Sequence, residues 1–294
     1  MIAVIPETTA QEVWESAHAE AARVATSWGW DTFWNGPSRE DDLLGQIQIM
    51  EKEVDRGAAG IILAPDHAVA LISPVREAVA KNIPVAIINN PLAASPKGDV
   101  VFVLNDDVAT GQLAAQRVEP YLRGKSDEVA IIGVHPSFLG SLAIAAAMKA
   151  ALEREHPGVH IVEQRAIFGS SESEDAEDDL VQKHPDLRAI VALNVTQTRS
   201  ASDALSRAKL VGKVALIGCE QDFDVMYRVR MGQMDSVIAK DTGSMVRNAM
   251  GWIHRRREGT ATGETIVVPP KLVTRENIDS PEIQRVLAVH GGML

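Results

Sequence analysis

Time and again, a short apolar run in this chain is followed by an amide, a charged group or an aromatic ring. Gln11 and Trp14 come after residues 2–5, Asn89 and Asn90 after 85–88, and Asp106 after 100–104. Phe168 lies beyond 160–164, Asn194 follows 189–193, Glu220 and Asp222 follow 213–217, and Lys240 and Asp241 follow 236–239. Asp222 and Asp241 read as helix caps, because a short acidic side chain accepts the free N–H groups of a helix start. The others share one kind of chemistry, giving and taking hydrogen bonds beside an occasional aromatic surface. That suits holding a small polar molecule rather than breaking one.

A bond-breaking site would need more. The chain has no G-x-G-x-x-G after its first apolar run, no Walker-type loop and no G-x-S-x-G elbow. No adjacent histidine and carboxylate mark a nucleophile, and the eight histidines show no metal-ligand spacing. The expectation is therefore no catalytic residue, no metal and no cofactor. Cys219 is the only cysteine, so no intrachain disulfide forms, and its apolar surroundings suit a small buried side chain.

The net charge of −11 disfavours nucleic acid or an anionic membrane as a partner. The basic stretch His254-Arg255-Arg256-Arg257 falls at an expected helix end, where cations meet the dipole favourably. The acidic run from Glu172 to Asp179 reads as a solvated helix start. No apolar run reaches membrane-spanning length. No secretory leader precedes the first strand, so the protein is either cytoplasmic or written without a leader that was removed.

The elements that must position these residues alternate regularly. In the first half, strands are expected at 2–5, 32–34, 60–63, 85–88 and 100–104, with helices at 11–28, 42–56 and 69–81. A helix at 110–122 then leads to strands at 128–132, 160–164, 189–193, 213–217 and 236–239. Helices at 141–155, 174–183, 197–207, 224–231 and 244–258 separate or follow these, before a strand at 266–268 and a polar tail from Lys271. Such alternation predicts an α/β fold of parallel sheets covered by helices on both faces. With 294 residues, two doubly wound lobes fit better than one giant sheet. Polar breaks near Asp106, Lys240 and Pro269 assign 1–105 and 240–266 to an N-terminal lobe, and 106–239 and 267–294 to a C-terminal lobe. The ligand cleft lies between them.

Trp14 has two readings. The loop after a strand and the start of the next helix line the crevice of an open parallel sheet, where an aromatic ring covers the apolar face of a ligand. Against this, Trp14, Ala17, Ala21, Val24 and Trp28 share one helical stripe, which would put the ring in the core. Lys240 likewise has two. Facing Glu220 or Asp106, it neutralises the site for an uncharged polyhydroxylated ligand; unpaired, it would match an acidic sugar. Carboxylates outnumber the lysine among these positions, which favours the neutral ligand.

Several stretches together resemble a known family. They are Gln11-Glu12-Val13-Trp14, residues 55–65 (DRGAAGIILAP), residues 82–88 (NIPVAII), Asn105-Asp106-Asp107 with Gly111, residues 214–218, and the tail 272–282 (LVTRENIDSPE). In these the chain resembles the ribose-type (type I) periplasmic sugar-binding proteins of ABC transporters, whose fold is shared with LacI-type regulators. The resemblance implies two lobes joined by a three-crossing hinge that closes on one small molecule. It places ligand contacts on Gln11, Trp14, Asn89, Asn90, Asp106, Phe168, Asn194, Glu220 and Lys240. It further implies a non-enzymatic monomer, periplasmic or otherwise extracytoplasmic, that delivers a small sugar or polyol to an ABC permease. Three departures bear on the ligand: Asn89-Asn90 replaces an Asp-Arg pair, the apolar run 142–147 replaces an arginine, and Lys240 replaces a glutamine. The alternative function is the effector-binding domain of a LacI-type regulator or sensor. Such a regulator begins with a helix-turn-helix, whereas this chain begins in the sheet.

Overall fold

Runs such as Ile61-Ile62-Leu63 and Val85-Ala86-Ile87-Ile88 are too short for buried helices and apolar on both faces, so they form strands with helices above and below. A computed structural model describes residues 1–10, 12–39, 42–124, 126–136, 138–166 and 170–287. In chain order its elements begin β1 (Ile2–Ile5), α1 (Glu15–Trp28), β2 (Thr32–Trp34), α2 (Leu43–Asp55), β3 (Gly60–Leu63), α3 (Ile72–Ala80), β4 (Val85–Asn89) and β5 (Val100–Asn105). Then come α4 (Asp107–Val118), β6 (Glu128–Val134), α5 (Leu139–Glu155), β7 (His160–Arg165), α6 (Ser170–Lys183), β8 (Leu187–Ala192) and α7 (Val195–Arg207). The chain continues through β9 (Ala215–Gly218), α8 (Phe223–Arg230), β10 (Ser236–Ala239), α9 (Thr242–Arg257), β11 (Thr265–Val268), β12 (Lys271–Thr274) and α10 (Pro281–Leu287).

The strands form two six-stranded sheets, ordered β11-β5-β4-β3-β1-β2 and β12-β10-β9-β8-β6-β7. Alternate residues of each strand feed opposite cores, as a period of two requires. In the first sheet, Ile2, Val4 and Ile88 pack under α1 and α9, while Ile5, Ile61 and Ile87 pack under α2 and α3. In the second, Val129, Ile131 and Ile217 meet α4 and α5, while Ile190, Leu216 and Val237 meet α6, α7 and α8.

The described chain changes sheet three times. It passes from β5 into α4, which packs on the second sheet; from β10 into α9, which packs on the first; and from β11 to β12 through Pro269-Pro270. Backbone bonds brace these places. The Asp106 amide donates to the Val268 carbonyl at 3.0 Å, tying the first crossing to the third. The Gln221 side chain clamps both backbone groups of Lys240, at 2.7 and 3.0 Å, in the second.

Two expectations need correcting. A lobe boundary after residue 266 would cut β11, whose Val267 and Val268 still pair with Leu104 and Asn105 of the first sheet. The tail from Lys271 is also more than polar coil. It forms β12, antiparallel to β10, and then α10, with Val273, Ile278, Ile283 and Val286 buried in the second lobe. Four apolar residues at uneven spacing leave little periodic signal, so composition masked both elements.

Helix α4 crosses α5 closely at Gly111, where an added Cβ would lie 2.3 Å from the Ile144 carbonyl oxygen. Gly111→Ala should therefore cost about 1–3 kcal/mol of folding stability or more, since backbone must move to relieve the clash. Urea unfolding of the two proteins measures it; equal midpoints would show that the helices separate freely.

Candidate ligand-binding cleft

A cavity of about 110 Å³ opens between the carboxyl ends of the two sheets. Glu7, Asp66, Asn89 and Asn90 line it from the first lobe, and Phe138, Ile144, Asn194 and Glu220 from the second, with Lys240 at a crossing. Each side is held by specific local structure. Gln46 is fully buried on α2; its amide donates to the Pro6 and Ala64 carbonyls at 3.0 and 2.7 Å, and its oxygen accepts from the Asp66 N–H at 2.9 Å. One side chain thus fixes the loops after β1 and β3, and with them Glu7 and Asp66.

Asn89 ends β4 with φ +65°, a left-handed conformation that asparagine tolerates better than most residues. The turn brings two amides onto one oxygen: Asn89 and Asn90 donate to Glu7 Oε1 at 3.0 and 2.6 Å. On the opposite lobe, Asn194 caps α7 by accepting from the Gln197 N–H at 2.9 Å. Its Nδ2 lies where a Cβ on Gly133 would come within 3.0 Å, so glycine at φ +87° makes room for it.

The electrostatics centre on Lys240. Its Nζ lies 3.1 Å from Glu220 Oε1. Burial opposes its charge, but Glu220, Glu7 and Asp107 together hold the ammonium well above the usual lysine range. Burial also pushes the Glu7 carboxyl up to about 7, against the pull of Lys240 and the Asn89 hydrogen bond. Asp107 is raised too, chiefly by burial. Cys219, behind this cluster, is pushed up to about 12 by burial and is a neutral, unreactive thiol. The arrangement can bind and orient a small polar molecule, with hydrogen-bonding groups on both walls and an aromatic ring, Phe138, on one.

The profile of the periplasmic binding protein domain matches residues 2–260. The chain belongs to this family. Its members are binding proteins of transporters and not enzymes. Among curated periplasmic binding proteins, it is 26% identical over 207 residues to the D-allose-binding periplasmic protein of Escherichia coli, covering 69% of this chain and 67% of that protein. It is 24% identical over 241 residues to the D-apiose import binding protein of Paraburkholderia graminis, covering 81% and 76%. Among solved structures, a carbohydrate transporter solute-binding protein of Agrobacterium radiobacter in complex with D-arabinose superposes with a TM-score of 0.86 at 22% identity, over 97% of this chain and 98% of that one. This likeness establishes the periplasmic binding protein fold, two lobes of parallel-dominated sheet.

Against that fold, the residues singled out from sequence divide clearly. Asn89, Asn90, Asn194, Glu220 and Lys240 converge on the cavity. Asp106 does not line it: its carboxylate accepts from the Ala109 N–H at 2.9 Å and caps α4, while the next residue, Asp107, does line the cavity. Trp14 is 2% exposed among Val13, Ala17, Met245 and Val246, so the helical stripe decides its place. Gln11 and Phe168 fall outside the described residues. Glu7 and Asp66 were overlooked although each directly follows a strand and a proline; the same strand-end criterion covers both. Phe138 follows β6, the one long strand of the second lobe whose end that criterion skipped.

Two outcomes follow. Trp14→Ala should lose about 3–5 kcal/mol of stability by leaving a core cavity. Chemical unfolding measures this, and an unchanged midpoint would return the ring to the cleft. Glu7 binds its proton more tightly folded than unfolded, so between about 4.5 and 7 folding takes up a proton. Stability from this group is full below that window, falls as pH rises through it, and levels off above. The loss is on the order of 3 kcal/mol. Glu7→Gln should remove that fall in urea unfolding across the window; identical pH profiles would show Glu7 to be freely solvated.

Proposed function

We propose that this periplasmic binding protein captures a small sugar or polyol between its lobes and delivers it to an ABC permease. The observation that carries the reading is the convergence of Asn89, Asn90, Asn194, Glu220 and Lys240, from both lobes and a crossing, on one cavity beside Phe138. Amides, a carboxylate and an ammonium match hydroxyl groups at the edge of a sugar, and the Phe138 ring matches its C–H face. The relatives named above include a D-allose-binding and a D-apiose import binding protein, which supports carbohydrate as the ligand class. Among the described residues no helix is long and apolar enough to cross a membrane. On this reading the protein works as a periplasmic monomer, and the permease supplies the membrane passage.

Closure is part of the proposal. Groups on two walls are all satisfied only when the lobes shut on the ligand, and the crossings at 105–107, 239–241 and 269–270 are where the chain must bend. A thermal-shift panel of pentoses, hexoses and polyols, neutral and amine-bearing, should yield at least one compound that raises Tm with concentration. That compound should also shrink the radius of gyration in small-angle scattering. Stabilisation only by another class, such as amino acids or nucleobases, would overturn the carbohydrate reading; binding without compaction would overturn closure.

A further inference from the structure

The lining of the cavity is unbalanced in charge. The size of the excess reverses the expectation from sequence that carboxylates outnumbering Lys240 favour a neutral ligand. Among the described residues it carries four carboxyl groups, Glu7, Asp66, Asp107 and Glu220, against one ammonium, Lys240. Lys240 already directs its ammonium at Glu220. Several of its donors are similarly committed. Asn89 and Asn90 each point an amide N–H at Glu7, and the Ser141 hydroxyl is bonded to the backbone of its own loop at His135 and Phe138. A neutral hydroxyl brings one donor and two acceptors, so a neutral polyol would add acceptors where acceptors already predominate. It would also leave the surplus carboxylates to be buried further as the lobes close, which is costly.

Resting on the carbohydrate reading above, we propose that the cleft takes a polyhydroxylated amine, an amino sugar or an amino alditol, with its ammonium against Glu7 and Asp66. An ammonium offers three donors and no acceptor, and supplies the missing positive charge. Asn194 and Phe138 on the opposite wall remain for the hydroxyl edge and the carbon face. Among the described residues, five side chains face this seat. Asn89 and Asn90 at the end of β4 face Glu7, as do Asp66 beyond β3, Glu220 beyond β9, and Lys240 at the second crossing. Glu7 is the group among them whose charge changes near neutrality, so the preference for an amine must grow as pH rises.

Matched pairs test this by isothermal titration calorimetry: 1-amino-1-deoxysorbitol against sorbitol, and glucosamine and galactosamine against glucose, galactose and their N-acetyl derivatives. At about pH 8, at least one amine should bind about tenfold or more tightly than its neutral counterparts, because a charge-assisted bond replaces a neutral one. The alkyl amine of the alditol stays protonated across this range, as a lysine does, so its preference should shrink at about pH 6, where Glu7 is protonated. Glu7→Gln, and independently Asp66→Asn, should each reduce the preference severalfold in protein shown to be folded by circular dichroism. Neutral parents binding as tightly as their amines would overturn the ammonium seat and leave the carbohydrate reading standing. An amine preference unchanged in both variants would overturn the seat as well. No binding by any member of the panel, in a protein that a pentose or another neutral polyol stabilises, would overturn the ammonium seat alone. Stabilisation by no carbohydrate at all would overturn both.

Discussion

The cleft depends on one half-buried ammonium. Lys240 sits where the chain crosses from β10 to α9, and Glu220, Glu7 and Asp107 all raise its affinity for its proton. Without that cation the acidic groups would repel one another across a closing gap, and each would have to take up a proton or draw in water. On the closure proposed above, the lysine makes a cleft of this composition compatible with the approach of the two lobes. Its backbone is fixed just as firmly, since Gln221 bonds both its N–H and its carbonyl. Lys240 thus has its main chain clamped in a crossing while its side chain brings positive charge to the cavity.

The bracing holds each lobe together internally. Gln46 binds the loops after β1 and β3 into one unit, so Glu7 and Asp66 move together with the first lobe. Asn194 and Gly133 lock in the same way within the second. The bond from Asp106 to Val268 ties the first crossing to the third, and Pro269-Pro270 narrows the backbone freedom of the third.

How much of this was legible in the sequence follows from what each signal measures. Alternating apolar runs and amphipathic helices placed the strands of both sheets up to β11, because burial on two faces leaves an uninterrupted apolar string. The tail was missed: β12 is an edge strand of four residues and α10 a single short helix, and neither carries a long enough pattern to stand out. At the cleft, the strand-end rule found Asn89, Asn90, Asn194, Glu220 and Lys240 because α/β topology puts such positions at the crevice whatever the residue. It could not separate Asp106 from Asp107. Two adjacent aspartates at a helix start are equivalent as letters, and only the geometry of the cap decides which turns back to the helix and which faces the cavity. Trp14 carries two readings that are equally legible as letters, a helical stripe and a position near the crevice. Its burial with Ala17, Ala21 and Val24 decides for the stripe, whose far end at Trp28 is exposed.

The two walls differ in kind, and the difference constrains how any ligand lies. The first lobe presents Glu7, Asp66, Asn89 and Asn90, all polar, whereas the second interleaves Asp107, Ser141, Asn194, Thr196, Gln197 and Glu220 with Phe138, Ile144, Leu193 and Val195. Ile144 belongs to the apolar start of α5, where no cation faces the cavity among the described residues. On the carbohydrate reading, the apolar C–H surface of a ligand meets carbon, among the described residues, only on the second lobe, at Phe138, Ile144, Leu193 and Val195. Setting that surface against Glu7 and Asp66 instead would strand polar groups at about 1–3 kcal/mol each. The asymmetry therefore favours, on that reading, carbon against Phe138 and hydroxyls within reach of Asn89 and Asn90.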